Sequence, residues 1–321
     1  MGERASDDLR AAEHADAARV AAGNLTGIIA LTVAMASFAC GDTLMKLAAG
    51  PLPTSELLFI RGLCVTTVSL IAALWLGAFT EIKAAMSTAM ALRAAGDVGG
   101  GWFFQSGLAR MAYPDLMAIT QLNPLTITAA SALFLGDKVG WRRWTATCVG
   151  LLGVLIIIRP GSSAFNWWAL AGIASVLAAT VRDLATRRVD RRVPPILIMT
   201  LSAAAVTVAS LVASLFVQWE APSALLMAKL GAASMFSLTG QLCVIVAMRS
   251  GEVSAVAPFR YTIILFAIVS GIVVFDHFPD APTLAGIVIV AAAGLYTFFR
   301  EQKLRRLAMA QAAADRQRHG P

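Results

Sequence analysis

Residues 108–138 read LARMAYPDLMAITQLNPLTITAASALFLGDK, and this stretch decides the fold. Between Leu116 and Gly136 no residue is charged, and the run has the length of about 20 residues that a helix needs to cross a hydrocarbon core. A transmembrane β-strand would instead alternate polar and apolar residues over about 10 positions. The continuous apolar run therefore predicts a membrane-spanning helix.

Similar runs recur along the 321 residues, of which 58% are hydrophobic and 14% charged. A soluble domain carries roughly 25% charged residues. The predicted fold is all-α, with ten transmembrane spans at 27–49, 55–79, 91–112, 115–135, 141–158, 166–186, 196–217, 225–248, 253–274 and 282–299. The remainder forms short loops and two tails, 1–26 and 300–321, so no water-soluble enzyme domain is expected. For the N-terminal tail, a short helix from Ser6 and disorder are the alternatives.

The basic residues predict the orientation, because Lys and Arg accumulate in cytoplasmic loops. With the N-terminus inside, 19 of the 26 Lys and Arg residues lie on inside segments and only four lie outside. The other three, Arg61, Arg182 and Arg260, lie within spans. We therefore expect an inner-membrane protein with both termini in the cytoplasm. The net charge of +7 follows this topology, so no nucleic-acid partner is expected.

A weak internal repeat divides the chain into two halves, 27–160 and 161–299. A shift of 139 or 141 residues aligns Arg110 with Arg249, Asp137 with Asp276, Asp42 with Asp183, Lys46 with Arg187, Pro53 with Pro194, and Gly153 with Gly294. Each half contains five spans, an odd number, so the second half enters the membrane from the opposite side. Inverted repeats of this kind enclose the midplane site of many secondary transporters. A ten-helix scaffold without transport is the alternative.

Three stretches resemble the drug/metabolite transporter superfamily, EamA type. Residues 108–138 resemble its third and fourth spans, residues 257–301 the equivalent part of the second half, and SELLFIRG at 55–62 its span-two arginine motif. The resemblance implies ten helices, cytoplasmic termini and transport of amino acids, related metabolites or toxic compounds, often coupled to protons. Asp137 and Asp276 stand where the family usually has glutamate, and we expect each to cap a helix or pair locally.

Ionisable side chains inside a bilayer cost at least about 2.5–3.5 kcal/mol each, so they mark candidate functional positions. Those in the apolar runs are Asp42, Lys46, Arg61, Asp97, Arg182, Asp183 and Arg260. Lys46, Arg182 and Asp183 lie near span ends, where they can snorkel. We assign Asp42, Asp97 and Asp183 to gating or proton coupling. Similar depths suggest two gates, one pairing Asp42 with Arg61 outside and one pairing Asp97 with Arg260 inside; purely structural pairs are the alternative.

Uncharged residues complete the predicted substrate site. Together with Arg61 and Arg260, the predicted binding residues are Trp102, Gln121, Asn123 and Tyr261. Trp102 lies mid-span, as a stacking wall or as bundle filler, and the polar groups serve as ligands or as interhelical hydrogen bonds. Asn123 and Pro124 are expected to break the fourth span. Gly99, Gly100 and Gly101 predict either close helix packing or a loosened helix beside a cavity.

The leading function is a secondary transporter of small metabolites, amino-acid-like or carboxylate-bearing, working by alternating access. The expected partners are a small-molecule substrate, the lipid bilayer and protons, in a monomer or homodimer. The sequence has no P-loop and no catalytic or metal-binding pattern, so we expect no enzyme, no metal and no cofactor. A lipid-acting membrane enzyme and an assembly or sensor protein are the alternatives. A filled interior without a polar cavity would favour the assembly or sensor protein.

Overall fold

The computed structural model describes residues 2–50, 52–134, 141–159, 166–219, 221–250 and 253–318, and in these parts the chain consists of helices joined by turns and short loops, without strands. The α-helices are α1 Gly2–Ala48, α2 Thr54–Trp75, α3 Ile82–Ala85, α4 Thr88–Arg110, α5 Tyr113–Thr120, α6 Asn123–Phe134, α7 Trp141–Ile158, α8 Ala169–Thr186, α9 Pro195–Ser214, α10 Ala224–Ser250, α11 Val253–Val256, α12 Thr262–Phe275 and α13 Ala281–Arg318. Two short 3-10 helices, Ala78–Glu81 and Ala257–Tyr261, precede α3 and α12.

Eight helical stretches are long and apolar enough to cross a membrane, judged by length and composition. Because water-free lipid leaves helices to satisfy their own backbone groups, a chain with this many such stretches is a multi-pass membrane protein. Two further helices, α4 and α7, lie where spans three and five were predicted. They are not among the eight, since α4 carries several charges and the apolar part of α7 is short.

The helix ends bear on the tails and on one predicted cap. The backbone of both tails is helical, and the N-terminal helix is longer than the short one from Ser6 that was one of the alternatives, because α1 begins at Gly2 and α13 continues to Arg318. Asp276 ends α12 in the left-handed conformation with φ 49°, and the next residue, His277, donates its N–H to the carbonyl of Gly271. Asp276 therefore caps a helix, as expected. Its predicted counterpart, Asp137, lies outside the described residues.

Four helix pairs form the frame of the bundle: α1 with α10, α4 with α8, α2 with α9, and α7 with α13. Gly23 of α1 lies against Ser250 of α10, whereas Gly41 lies against Ala233, so these two helices are antiparallel. The α4–α8 pair is antiparallel for the same reason. Small residues at these crossings let the backbones approach closely, which is how helices associate in lipid.

One end of the bundle is filled by side chains. Its core includes Leu52, Leu57, Leu108, Met111 and Tyr113, and Tyr113 is only 1% exposed. We call this the closed end. It lies where α1 and α4 finish and where α2 and α5 begin, and a pocket of about 370 Å³ remains beside this core, lined by residues that include Lys46, Ala112 and Tyr113.

Candidate functional site

A cavity of about 900 Å³ lies between the helices, away from the closed end. Its wall combines three arginines and one aspartate with hydroxyl groups, amides and aromatic rings. The residues used below are Phe38, Phe104, Thr120, Gln121, Asn123, Ser131, Ser175, Arg182, Asp183, Arg187, Arg260, Tyr261 and Gly294. Along α8 the wall runs from Ser175 to Arg187, about 18 Å at 1.5 Å per residue.

A break in the predicted fourth span forms one side of the cavity. Helix α5 ends at Thr120 and α6 begins at Asn123, which confirms that this span is interrupted. The cause is Pro124, whose nitrogen has no hydrogen to donate to the carbonyl four residues earlier, that of Thr120. Gln121 lies in the break with 9% of its surface exposed, and both Thr120 and Gln121 line the cavity.

A second break, in the predicted ninth span, forms the opposite side. The 3-10 helix Ala257–Tyr261 contains Pro258 and precedes the regular helix α12. It brings Arg260 and Tyr261 to the cavity wall. Arg260 lies deep in the bundle while its side chain is exposed to the cavity. Within the described part of the chain, Arg260 forms neither a hydrogen bond nor an ion pair, so its guanidinium is available to a ligand.

Tyr261 lies directly over a glycine of the neighbouring helix α13. A Cβ atom added to Gly294 would be 1.7 Å from the Tyr261 hydroxyl oxygen, a distance that no side chain tolerates. The hydroxyl is buried and has no hydrogen-bond partner in the described structure. Gly294 therefore makes the room that Tyr261 occupies, and the hydroxyl is left to serve a ligand or a water molecule.

A network of charges crosses from α8 to α4 at one side of the cavity. Arg182 Nε donates to Asp183 Oδ1 at 2.8 Å, and Asn123 Nδ2 donates to Asp183 Oδ2 at 3.0 Å. Asp97 Oδ1 lies 3.6 Å from Arg182 Nη1, and Asp97 Oδ2 lies 3.6 Å from Arg93 Nη2. The expected inner pair of Asp97 with Arg260 is therefore wrong, because Asp97 is already between two other arginines.

The close packing of α4 on α8 explains this partner choice. A Cβ atom on Gly96 would be 2.8 Å from the Arg182 backbone nitrogen, so only glycine permits this approach. The next residue, Asp97, is thereby brought to Arg182. Close helix packing, one of the two alternatives for the three glycines, is seen at Gly99, which faces Ala178 of α8. Gly101 has open space beside it and lines the cavity, but α4 is a continuous helix there.

The other predicted site residues lie outside the cavity wall that the structure describes. The expected outer pair of Asp42 with Arg61 is not formed: Asp42 accepts a long hydrogen bond of 3.4 Å from Tyr113 Oη, and Arg61 donates to Ser237 Oγ at 2.8 Å. Arg61 is still close enough to Asp42 to act on it electrostatically. Trp102 is half-buried and does not line the cavity, although Gly101 before it does.

Several wall residues were not predicted as site residues. Arg187 was counted as a loop charge, and its Nη1 donates to Ser131 Oγ at 3.2 Å. The aromatic side chains of Phe38 and Phe104 look like ordinary span residues in the sequence. For Arg187 a signal existed, since it follows Asp183 by four residues and therefore lies on the same helix face.

Comparison with known proteins supports a transport function. Residues 25–159 match the model of the EamA-like transporter family. An S-adenosylmethionine uptake transporter of Rickettsia conorii is 24% identical over 87% of this chain and 94% of its own length. The pseudopaline exporter CntI of Pseudomonas aeruginosa is 26% identical over 84% of this chain and 94% of its own length.

Two further similarities are more limited. A riboflavin transporter of Rhizobium johnstonii is 24% identical over 63% of this chain and 67% of its own length. A protein of known crystal structure has the same fold, with a TM-score of 0.58, 17% identity and coverage of 89% of this chain and 99% of that one. The resemblance to the drug/metabolite transporter superfamily is thus confirmed by sequence relatives, and the fold by the solved structure.

Proposed function

We propose, on the premise that residues 25–159 form an EamA-like domain in a multi-pass membrane protein, that this chain is a secondary transporter of a small polar metabolite. The observation that carries the proposal is the polar cavity between two interrupted spans. Interrupted helices leave backbone donors and acceptors without helical partners, and transporters place their substrate sites at such points.

The two halves, 27–160 and 161–299, are proposed to be inverted repeats that complete ten spans. If the long helices of the two halves are matched in chain order, α1 corresponds to α8, α2 to α9, α4 to α10 and α7 to α13. The contact of α1 with α10 then corresponds to the contact of α8 with α4, and the α2–α9 and α7–α13 contacts each correspond to themselves. This regularity of the contacts supports two-fold related halves, whose rocking would give alternating access.

The orientation follows from the basic residues, with both termini in the cytoplasm of a cell with an inner membrane. The cavity wall reaches Arg187, beyond the end of α8, whereas the packed core of the closed end, with a smaller pocket of about 370 Å³, lies on the opposite side. In this orientation the cavity opens toward the cytoplasm. The structure then corresponds to an inward-facing state, and transport requires the closed end to open in turn.

The side chains take two proposed roles. Arg260, Tyr261, Gln121 and Asn123 contact the substrate, because they line the cavity at the helix breaks. Arg260 with its free guanidinium favours an amino-acid-like or carboxylate-bearing substrate, since a guanidinium binds a carboxylate through two parallel hydrogen bonds.

Asp97 and Asp183 hold the charge network, and they would release it on protonation. Asp42, Arg61 and Trp102 are proposed to join the pathway when the closed end opens.

The relatives support a small-metabolite substrate without specifying its identity. They are named for S-adenosylmethionine uptake, riboflavin transport and pseudopaline export, so direction and substrate both vary among them. An assembly or sensor protein is disfavoured by the cavity itself, because a helical scaffold gains stability by filling its interior.

Flux in reconstituted vesicles tests the proposal. Purified protein in proteoliposomes is given a panel of radiolabelled amino acids, organic acids, S-adenosylmethionine and riboflavin, with and without an imposed proton gradient. We expect flux of at least one compound without ATP, its loss in Arg260→Gln, and its retention in Arg188→Gln, whose side chain is exposed and outside the cavity wall. Folded protein that moves none of the panel would overturn the proposal.

A further inference from the structure

The described wall of the cavity carries an excess of positive charge. It contains three arginines, Arg182, Arg187 and Arg260, and a single carboxylate, Asp183. Charged side chains in a membrane protein are normally paired, because an isolated charge in a low-dielectric interior is costly. The three arginines differ in whether a carboxylate of the protein neutralises their charge.

Arg182 is neutralised. Its Nε donates to Asp183, and its Nη1 lies 3.6 Å from Asp97. Both oxygens of Asp183 are hydrogen-bonded, because the second accepts from Asn123. In the described part of the chain, the carboxylates of this network bind Arg182, Arg93 and Asn123, and no hydrogen bond or ion pair joins them to Arg187 or Arg260.

Arg187 and Arg260 have no carboxylate partner among the described residues. Arg187 donates to Ser131 Oγ, which carries no charge, and Arg260 forms neither a hydrogen bond nor an ion pair with the residues that the structure describes. Both side chains line the same cavity: Arg260 lies within electrostatic range of Asp183, and Arg187 lies four residues, or about 6 Å along the helix, beyond Asp183. The wall thus holds two guanidinium groups that no described carboxylate binds by a hydrogen bond or an ion pair.

The wall also has an uncharged part, to which the rings of Phe38 in α1 and Phe104 in α4 contribute. Along α8 the wall extends to Ser175, about 18 Å from Arg187. A ligand that matches this wall has anionic groups for the arginines and an uncharged part for the aromatic rings.

We infer that the substrate is a small organic dianion with two carboxylates, one bound by Arg260 and the other by Arg187, and with its uncharged part toward Phe38 and Phe104. This rests on the proposed transport function and names the substrate class of the same cavity. A guanidinium matches the planar geometry of a carboxylate, which a neutral or cationic compound cannot offer. Such a compound would leave Arg260 without an anionic partner inside the bundle and Arg187 without one at the opening of the cavity.

Binding measurements on purified protein in lipid nanodiscs test the inference. The probes are straight-chain dicarboxylates from succinate to suberate and phenyl-substituted glutarate, each compared with its own monomethyl ester. The ester keeps the length and removes one charge. We expect at least one diacid to bind about tenfold more tightly than its ester, a difference of about 1.4 kcal/mol.

Variants connect the effect to the two arginines. Arg260→Gln and Arg187→Gln should each weaken diacid binding about tenfold and leave the ester nearly unchanged, so that the diacid loses its advantage. Arg188→Gln is the matched control for the neighbouring position. Arg187→Lys retains the charge and should keep more affinity than Arg187→Gln, and size-exclusion chromatography checks that each variant is folded.

The outcomes separate the two proposals. Binding and flux of S-adenosylmethionine, riboflavin or a monocarboxylate, with no diacid bound, would overturn the inference and leave the transport function standing. Diacid binding that is unchanged in both glutamine variants would also overturn it. The absence of flux across the whole vesicle panel would instead contradict the transport function.

Discussion

At the scale of single residues, Gly294 determines where the Tyr261 side chain can lie. We expect Gly294→Ala to displace that ring, since the added carbon would be 1.7 Å from the hydroxyl oxygen, and to lower flux or ligand affinity about tenfold. The helix itself should tolerate alanine, which has the higher helix propensity.

Gly231→Ala in α10 is the matched control, because no atom lies within 4 Å of the added carbon there. Measuring the thermal midpoint alongside affinity distinguishes displacement of Tyr261 from unfolding. Equal effects of the two substitutions on affinity would contradict the role given to Gly294.

The partners of Asp97 give a second prediction at this scale. Asp97→Asn should destabilise the protein by about 1–2 kcal/mol, between the values for exposed and buried ion pairs, because 17% of its side chain is exposed. A double-mutant cycle with Arg182→Gln should show coupling, whereas a cycle with Arg260→Gln should be additive. Coupling of Asp97 to Arg260 alone would support the inner pair that the sequence predicted. Unfolding in detergent, followed by intrinsic fluorescence, measures each variant.

The sequence identified most of the residues at the helix breaks but not their partners. Arg260, Tyr261, Gln121 and Asn123 stand out because polar groups are costly in apolar runs, and the structure has them at the cavity wall. Partner choice failed because counting residues gives depth alone. The direction in which a side chain leaves its helix, and which helix it meets, depend on packing such as the approach at Gly96.

At the scale of helices, Lys46 ties the end of α1 to the turn between α4 and α5. Its Nζ donates to the carbonyl of Leu108 at 2.7 Å and to that of Met111 at 2.6 Å. These carbonyls lie at the C-terminal end of α4, where helical donors are lacking. Because hydrogen bonds from a charged donor contribute about 1.5–3 kcal/mol each, Lys46 stabilises the closed end.

Removing the charge should make the closed end open more often. In a cysteine-free background, a cysteine at Ala112 should react with a membrane-impermeant maleimide several-fold faster when Lys46→Met is also present. Lys229→Met, a lysine substitution on α10, is the control and should leave the rate unchanged. Identical rates for all three proteins would mean that Lys46 does not hold this end shut.

Helix existence was easier to predict than helix continuity. Composition placed α7 at the boundaries that the structure has, 141–158, and Pro124 marked the break before α6. The 3-10 start of the predicted ninth span carried a similar signal in Pro258, but a proline near a helix start is compatible with a regular helix. The tertiary contact of Tyr261 with α13 decides between a 3-10 start and a regular helix.

At the scale of the whole molecule, the charge distribution predicts the topology. A cysteine replacing Ala221, in the exposed segment before α10, should be labelled from outside intact cells, and one replacing Gln317 should be labelled only after permeabilisation. The four native cysteines are first replaced by serine or alanine. Labelling at Gln317 alone in intact cells would reverse the orientation and, with it, the side to which the cavity opens.

The two helix breaks also bear on how such a protein diverges over generations. At the first break, the carbonyl that Pro124 leaves without a helical donor, that of Thr120, belongs to the main chain, and replacing a neighbouring side chain does not remove it. Arg187 or Arg260 can therefore be replaced during evolution, which changes the substrate, while the polar contact from the main chain is retained. Such a division between retained backbone contacts and replaceable side chains would give low pairwise identity among proteins that are named for chemically different substrates.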